Sequence, residues 1–388
     1  MDNIEQLGRL CCGCGGCADI CPAHCITFSE DAEGFLYPQV DETRCVDCGA
    51  CVRHCPVLQP AVSDSGAQVY AAKSKNRDQS FASTSGGLFV LLAEYMLDLG
   101  GLVFGCAYDE QLAATHVCIE RRDELYKLQG SKYVQSNTLG VYKQVKDAVL
   151  QGRPVLFSGT GCQVGGLKTF LGKEYELLYT VDIICHGVPS PKLFANYIDW
   201  LGKKMGAPVR SYSFRNKEKS GWDLVCKADT GTHASYKYAF FDPYYHAFIQ
   251  GLTYRESCYS CKWAGSARCG DITLGDYWGI EQAHPAFYDP NGVSLVLVNT
   301  DRGRRLWDAV SLKTDYIPST LEKAAAMNHN LIAPTTRPVC RDTIYDGYNE
   351  DFDRYVRQKL SVGPQLKTRL KRMIPKTVKA RLKQFLKG

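Results

Sequence analysis

No stretch of this sequence is apolar for long enough to cross a bilayer. The longest candidate, GGLFVLLAEYMLDLGGLVFGCAY, is interrupted by Glu94, Asp98 and the Gly100-Gly101 pair. It reads instead as a buried helix followed by a buried strand. The opening, MDNIEQLGRLCCG, has neither an apolar h-region nor a small-residue cleavage site, which sets the expectation of a reducing, cytoplasmic setting. Low-complexity tracts are missing, and a 45% hydrophobic content is ordinary for a globular chain. No G-x-G-x-x-G fingerprint follows a strand-like segment, which argues against an ordinary Rossmann NAD site. A basic field over the body is missing as well. Nine Lys or Arg and no acid fall between Lys367 and Lys387; without those nine, the 46 basic residues drop to 37 against 41 acids. That balance leaves the main domain without a basic field for nucleic acid, and none is expected as a partner.

Cysteine, by contrast, is abundant: nineteen among 388 residues, an odd number. A disulfide framework suits short secreted chains, so ligation of metal or cluster is the leading explanation. One internal repeat carries it. CCGCGGCADICP (11–22) and CVDCGACVRHCP (45–56) share the spacing C-x2-C-x2-C-x3-C-P, offset by 34 residues. In that pattern three closely spaced cysteines wrap one cubane, and the fourth, followed by Pro, reaches the other. Cys11, Cys14, Cys17 and Cys55 then hold one [4Fe–4S] cluster, and Cys45, Cys48, Cys51 and Cys21 the second. Zinc needs only four ligands in two pairs and leaves the duplicated triple unexplained. Cys12 and Cys25 fall outside the rule and read as bystanders. CITFSEDAEGFLYPQV between the motifs reads as a short hairpin turning at Glu33-Gly34. Residues 5–60 resemble bacterial-type two-cluster ferredoxin domains.

A Pro-, Ser- and Gly-rich linker, LQPAVSDSGAQ (58–68), precedes a longer region in which strand-like and helix-like segments alternate. Apolar strands separated by helices predict a mixed or parallel sheet covered on both faces. VRSYSFRNK and ASYKYAFF look antiparallel. The expected class is therefore α+β or mixed α/β: a ferredoxin-type module over 1–60, a larger α/β domain over 66–335, and an extension over 336–388.

Nine cysteines lie beyond the repeat. Cys106, Cys118 and Cys226 read as small buried hydrophobes, and Cys340 lies in a loop. Cys162 and Cys185 sit where strands end in glycine-containing turns, SGTGCQ and ICHGVPS, and open α/β sheets place ligands at such ends. Cys258 and Cys261 form a C-x-x-C pair, with Cys269 eight residues further on. Spacing alone leaves three readings of this set open: a third cluster, a zinc knuckle, or idle thiols.

GSKYVQS, VLFSGTGCQVGGL, VDIICHGVPSPKLF, SFRNK, CYSCKWAG and DITLGDYWG occur in order. Together they resemble the beta subunits of coenzyme F420-reducing hydrogenase and related dehydrogenases, including plant-type 7-hydroxymethyl chlorophyll a reductases, over residues 66–335. The resemblance implies a flavoprotein carrying FAD and a [4Fe–4S] cluster on Cys162, Cys185, Cys258 and Cys261. This chain has Gly161 where that family usually has Pro, and Cys269 has no counterpart in its pattern. For the flavin, a dinucleotide needs backbone N–H groups at a glycine turn or helix start. Ser85-Gly86-Gly87 and Gly130-Ser131-Lys132 are turns of that kind, and only the resemblance moves them ahead of an ordinary cap or surface turn; Thr160 completes the candidate flavin contacts. His186 is a candidate proton carrier or a structural histidine. GDYWGI is expected to pack Trp278 over the site, and Tyr244-Tyr245-His246 to belong to the core.

The expected function is an FAD-dependent iron–sulfur oxidoreductase. It would pass electrons between a one-electron carrier, such as a ferredoxin-like protein, and a two-electron partner, coenzyme F420 being one candidate. A non-catalytic electron-transfer subunit of a hydrogenase or dehydrogenase, and an oxidoreductase accessory to polysaccharide assembly, are the alternatives. Apolar residues at Leu366, Leu370, Met373/Ile374, Val378, Leu382 and Phe385/Leu386 follow a helical period broken at Pro375. Such a basic tail suits peripheral contact with an anionic inner membrane; a solvated tail or a helix docked on the acidic body is the other reading.

Overall fold

The computed structural model describes residues 3–60 and 66–360. The basic tail, and with it the membrane-surface expectation, lies outside the described residues. Among those described, no helix is long and apolar enough to cross a membrane.

Near the start, β1 (Ile26–Glu30) and β2 (Leu36–Val40) form the antiparallel hairpin between the two cysteine motifs. The main sheet has eight strands. In chain order they are β3 (Gln68–Ser74), β4 (Leu102–Tyr108), β5 (Ala114–Ile119), β6 (Val155–Thr160) and β7 (Leu178–Ile183), then, after a small sheet, β11 (Ile272–Asp276), β12 (Ser294–Val298) and β13 (Thr314–Ser319). The small sheet is antiparallel and contains β8 (Ser211–Ser213), β9 (Val225–Asp229) and β10 (Ala234–Tyr238). The order across the main sheet is β13-β3-β12-β11-β7-β6-β4-β5. Its middle is parallel: β4 with β6, β6 with β7, and β7 with β11. Antiparallel strands flank it on both sides. The class is mixed α/β, as the alternation of apolar strands and helices predicts.

Both faces of the parallel core are covered, so its strands carry near-continuous apolar runs. Val155, Leu156 and Phe157 of β6 are fully buried, as are all five residues, SLVLV, of the antiparallel neighbour β12. One face packs the helices Leu88–Asp98 and Asp301–Ser311 through Leu91, Met96, Leu306 and Trp307. The other packs Val141–Leu150 and Gly161–Leu171 through Tyr142, Val145, Val164 and Leu167. The small sheet and the helix Pro191–Met205 enclose a third, aromatic core that includes Tyr197, Phe214, Tyr244 and Tyr245. Tyr244 and Tyr245 are thus core residues.

The carboxyl ends of β4, β6, β7 and β11 point the same way, because these strands are parallel. In open α/β sheets that edge is where ligands bind.

Candidate functional site

Within the repeat, the cysteines of the two motifs lie close together, and Cys51 acts on both Cys17 and Cys55. Cys17 lies in the field of Cys11 and Cys55, and Cys14 in that of Cys17 and Cys11. Cys48 neighbours Cys51, and Cys25 stands among Cys21 and Cys45, its sulfur 3.4 Å from that of Cys21. Cys25 is therefore at the second site rather than apart from it. Burial differs between the two groups: Cys11, Cys14, Cys17 and Cys55 are buried, whereas Cys48 is exposed.

A cavity of about 520 Å³ opens at the carboxyl edge of the parallel strands. Cys162, Cys185, Cys258 and Cys261 line it from three separate segments. Cys162 begins the helix after β6, Cys185 follows β7, and the C-x-x-C pair lies in the irregular turn Glu256–Ser260 and the residue after it. Cys258 lies in the field of Cys185, Cys162 and Cys261 together. Burial pushes Cys185 up to about 12 and Cys261 up to about 11 as free thiols. Such thiols are neutral until a metal deprotonates them. Positive charge stands nearby to balance thiolates: Arg255 acts on Cys162, and Arg268 acts on Cys185 and Cys261. Among the described residues, no three His, Cys, Asp or Glu are close enough to hold a metal ion.

The two turns expected to hold a dinucleotide meet at the same cavity. Ser85, Gly87, Gly130, Ser131, Lys132 and Thr160 all line the cavity. Thr84 joins the turns: its hydroxyl accepts the Ser131 N–H at 2.9 Å. Gly87 caps the helix Leu88–Asp98 with a positive φ of 85°, a conformation that favours glycine. Gly86 departs from expectation. Its N–H donates to Ser294 Oγ at 3.0 Å, and a Cβ there would lie 2.6 Å from the Ala72 carbonyl oxygen. Gly86 serves a close backbone approach between strands, and its N–H is not free for a ligand. Unpartnered polar atoms stand nearby instead: Ser83 Oγ, Ser85 Oγ and Trp263 Nε1 are buried without a hydrogen bond, and all three residues line the cavity. Orphaned donors of this kind are what a phosphate-bearing ligand would satisfy. Lys132 Nζ donates to the carbonyls of Lys127 and Gln129, which leaves one of its three donors.

Other residues fall out differently from their sequence reading. Cys12 lines the cavity, with Cys14 on one side and Cys162 on the other. Cys106 lines it too, since the end of β4 forms part of the wall, and so is no plain core residue. Cys226 is buried, Cys118 half-buried and Cys340 exposed. Cys269 is buried away from the cavity, its thiol donating to the Gly161 carbonyl at 3.2 Å. His186 is exposed at the cavity rim beside Asn330. Trp278 lines the cavity and stacks on Trp222 at 5.1 Å, with Arg215 5.0 Å from its ring.

Sequence reasoning missed the buried cations around the site, Lys217 and Arg255 among them. Lys217 donates to the carbonyls of Ser80 and Ser85 at 2.6 and 2.8 Å and fixes the loop that carries Ser83 to Gly87. Arg255, 1% exposed, ties the N-terminal module to the cavity wall.

Residues 10–58 match the 4Fe-4S dicluster domain, and residues 152–321 match the C terminus of the coenzyme F420 hydrogenase/dehydrogenase beta subunit. Over 345 residues the chain is 22% identical to a coenzyme F420-dependent sulfite reductase of Methanocaldococcus jannaschii, covering 83% of this chain and 49% of that protein. Its N-terminal part is 44% identical over 60 residues to NADH-quinone oxidoreductase subunit I 2 of Geobacter metallireducens, 14% of this chain and 46% of that one. The chain thus spans about half the length, or less, of these curated relatives. A chain of the F420-reducing [NiFe] hydrogenase complex from Methanosarcina barkeri aligns with a TM-score of 0.46 at 17% identity, covering 68% of this chain and 87% of that one. The chain is thus similar to a 4Fe-4S dicluster domain over residues 10–58 and to the C terminus of coenzyme F420 hydrogenase/dehydrogenase beta subunits over residues 152–321.

Proposed function

We propose that the protein is an iron–sulfur flavoprotein oxidoreductase in which the N-terminal clusters feed a third cluster and an FAD held in one cavity. The observation that carries this reading is the shared cavity. Four thiols from three segments line it, together with two serine- and glycine-rich turns, and the hydroxyls of Ser83 and Ser85 there are unpartnered. Cys11, Cys14, Cys17 and Cys55 would hold the inner dicluster centre, and Cys21, Cys45, Cys48 and Cys51 the outer one. Cys162, Cys185, Cys258 and Cys261 would hold the third. Clusters pass single electrons while a bound flavin exchanges one or two, so the pair joins one-electron to two-electron chemistry.

The chain's own residues supply the rest. Ser83, Ser85 and Lys132 bind the anionic part of the dinucleotide. Trp263 and Trp278 close the walls against water, and His186 at the rim, whose pKa is lowered by desolvation, is a neutral imidazole able to accept a proton there. The exposure of Cys48 supports an outer centre near the surface, where a one-electron partner protein would meet it. The family's membership in hydrogenase and dehydrogenase complexes supports a partner subunit, and the sulfite reductase relative supports coenzyme F420 as the two-electron partner.

Anaerobic purification followed by iron, sulfide and flavin analysis tests the reading. About twelve irons and one FAD per chain are expected from three cubanes and one flavin. About eight irons with FAD would remove the third cluster. Zinc on Cys258 and Cys261 would overturn it, and a chain without flavin would reduce the protein to an electron-transfer module.

A further inference from the structure

Thr160 stands at the end of β6, immediately before the helix that carries Cys162, and both residues line the cavity. Its hydroxyl oxygen lies 3.1 Å from the sulfur of Cys162 and 3.1 Å from Gln163 Oε1. One hydroxyl has one proton, so the direction of that donation has to be decided.

A buried chain of hydrogen bonds decides it. His116 Nε2 lies 3.0 Å from the carbonyl oxygen of Ser158, which can only accept, so Nε2 carries the proton. Burial pulls His116 down to about 4, so its ring is neutral and Nδ1 is bare. Nδ1 must then accept from Ser136, whose oxygen is 3.0 Å away. With its proton committed, Ser136 Oγ accepts from Gln163 Nε2 at 2.8 Å. The Gln163 amide is thereby oriented, and its Oε1 already accepts the Thr160 backbone N–H at 2.9 Å. The Thr160 proton therefore chooses between a satisfied neutral amide oxygen and the sulfur. When Cys162 is a metal-bound thiolate, the charge-assisted bond to sulfur is the stronger.

We infer that Thr160 is a positioning residue of the third cluster, whose hydroxyl donates to the Cys162 thiolate and raises that cluster's reduction potential. The inference rests on Cys162 being a cluster ligand, as proposed above, and reassigns Thr160 from the flavin to the sulfur. Reduction adds negative charge to the cluster and its thiolates. A donor aimed at one of them stabilises the reduced form more than the oxidised, and potentials follow the hydrogen bonds to the sulfurs. The Ser136, His116 and Gln163 chain acts at one remove: it keeps the amide from turning its NH2 group toward Thr160.

The test is an EPR-monitored redox titration of the full, anaerobically loaded chain, with the third cluster assigned as the signal absent from Cys185→Ser. Thr160→Val should move the midpoint of that cluster alone to a lower potential, and Thr160→Ser should keep it near the wild-type value. Thr160→Ala removes the hydroxyl without adding bulk and gives the same shift should the valine variant load poorly. An unmoved midpoint in the hydroxyl-free variants overturns the inference. So does a serine variant shifted as far as the valine, or a shift shared by all three clusters, which would mark a packing effect. The iron count separates the two claims. Wild-type protein with about eight irons removes the cluster itself, whereas about twelve irons with an unmoved midpoint removes only the role of Thr160.

Discussion

Arg255 Nε donates to the carbonyl oxygen of Cys11 across 2.6 Å, and Cys258 follows three residues later in the chain. One side chain thus touches the backbone of the first dicluster motif while its own backbone leads into the cavity's C-x-x-C pair. Its two Nη atoms reach Gln135 Oε1 at 3.0 Å and the Leu36 carbonyl at 2.9 Å, and its guanidinium lies 4.0 Å from the ring of Tyr37. Further bonds reinforce the junction. Gln135 Nε2 donates to the Cys12 carbonyl, and Thr138 Oγ1 donates to that of Cys14. The dicluster module is held by its own ligand loop.

Replacing Arg255 with Met therefore removes the donor from the buried Cys11 carbonyl, at a cost of about 1–3 kcal/mol, and from the half-buried Gln135 and Leu36 acceptors. Arg255→Lys restores the charge but not the planar fork, so it should recover only part of the loss. The expected outcome is a marked fall in thermal midpoint for the loaded protein, with Met worse than Lys. Electron transfer from the dicluster centres into the cavity should slow in the same order. Equal midpoints for wild type and Arg255→Met would show that the junction is not held by this side chain.

A second junction is steric. A Cβ on Gly166 would lie 2.7 Å from Tyr142 Oη and 3.0 Å from Cys14 Sγ, so the glycine lets a dicluster ligand pack against the helix that begins beside Cys162. Gly166→Ala should destabilise the protein by about 1–3 kcal/mol through overpacking and broaden or shift the EPR signal of the inner dicluster centre. Gly161 answers the family's proline in the same way. Its Cβ would lie 2.6 Å from Cβ of Trp263, so Gly161→Pro should displace the tryptophan from the cavity wall. A denaturant melt and an EPR spectrum unchanged from wild type in Gly166→Ala would count against the contact.

Much of this was legible from sequence where the determinants are local. The dicluster spacing states its own ligand pairing, and the strands next to Cys162 and Cys185 announced that those residues sit at strand ends. The parallel middle of the sheet then brings those ends together, which is why the turns at Ser85 and Gly130 and the cysteine set share a cavity. What stayed hidden depends on contacts between distant segments. Arg255 is a lone arginine before a C-x-x-C pair, with no local mark of burial. Cys12 breaks the spacing rule and becomes a neighbour of Cys162 only through packing of the helix Gly161–Leu171. Cys106 looked like core because its strand is apolar, and only the strand's direction puts it on the wall. Gly86 looked like a ligand-facing turn because sequence cannot show that Ser294 takes its N–H.

Lys132 gives a pH dependence with a defined sign. Burial lowers it from 10.5 to about 8, with Cys106 pulling weakly the other way. An unfolded chain keeps that proton up to the ordinary value, so this group makes stability rise between pH about 8 and 10.5. Ligand binding runs the opposite way, because only the ammonium attracts an anion. Affinity for a phosphate-bearing ligand should be full below about pH 8 and fall by at most about tenfold per unit above it. Flavin affinity followed by fluorescence quenching should show this decline in the wild type. In Lys132→Met it should be weaker and flat across the same range. A wild-type profile without a break near pH 8 would remove Lys132 from the binding site.

The direction of electron entry follows from exposure. Cys48 is exposed while Cys14 is buried against Gly166, so an external one-electron donor meets the outer centre first and the inner one second. Cys12 lines the cavity and interacts with both Cys14 and Cys162, which makes it the candidate link from the proposed inner centre to the cavity. Replacing Cys48 or Cys14 with Ser should abolish reduction of the bound flavin by reduced ferredoxin while leaving its reduction by a hydride donor intact, since the hydride route enters at the cavity rim. Cys12→Ser should keep the iron content at the wild-type level, because each cubane already has four other thiols, yet slow the ferredoxin route. Stopped-flow flavin bleaching with the two donors separates these outcomes. If both routes survive in Cys48→Ser and Cys14→Ser, the dicluster centres lie off the electron path and the cavity must be fed through another face of the protein.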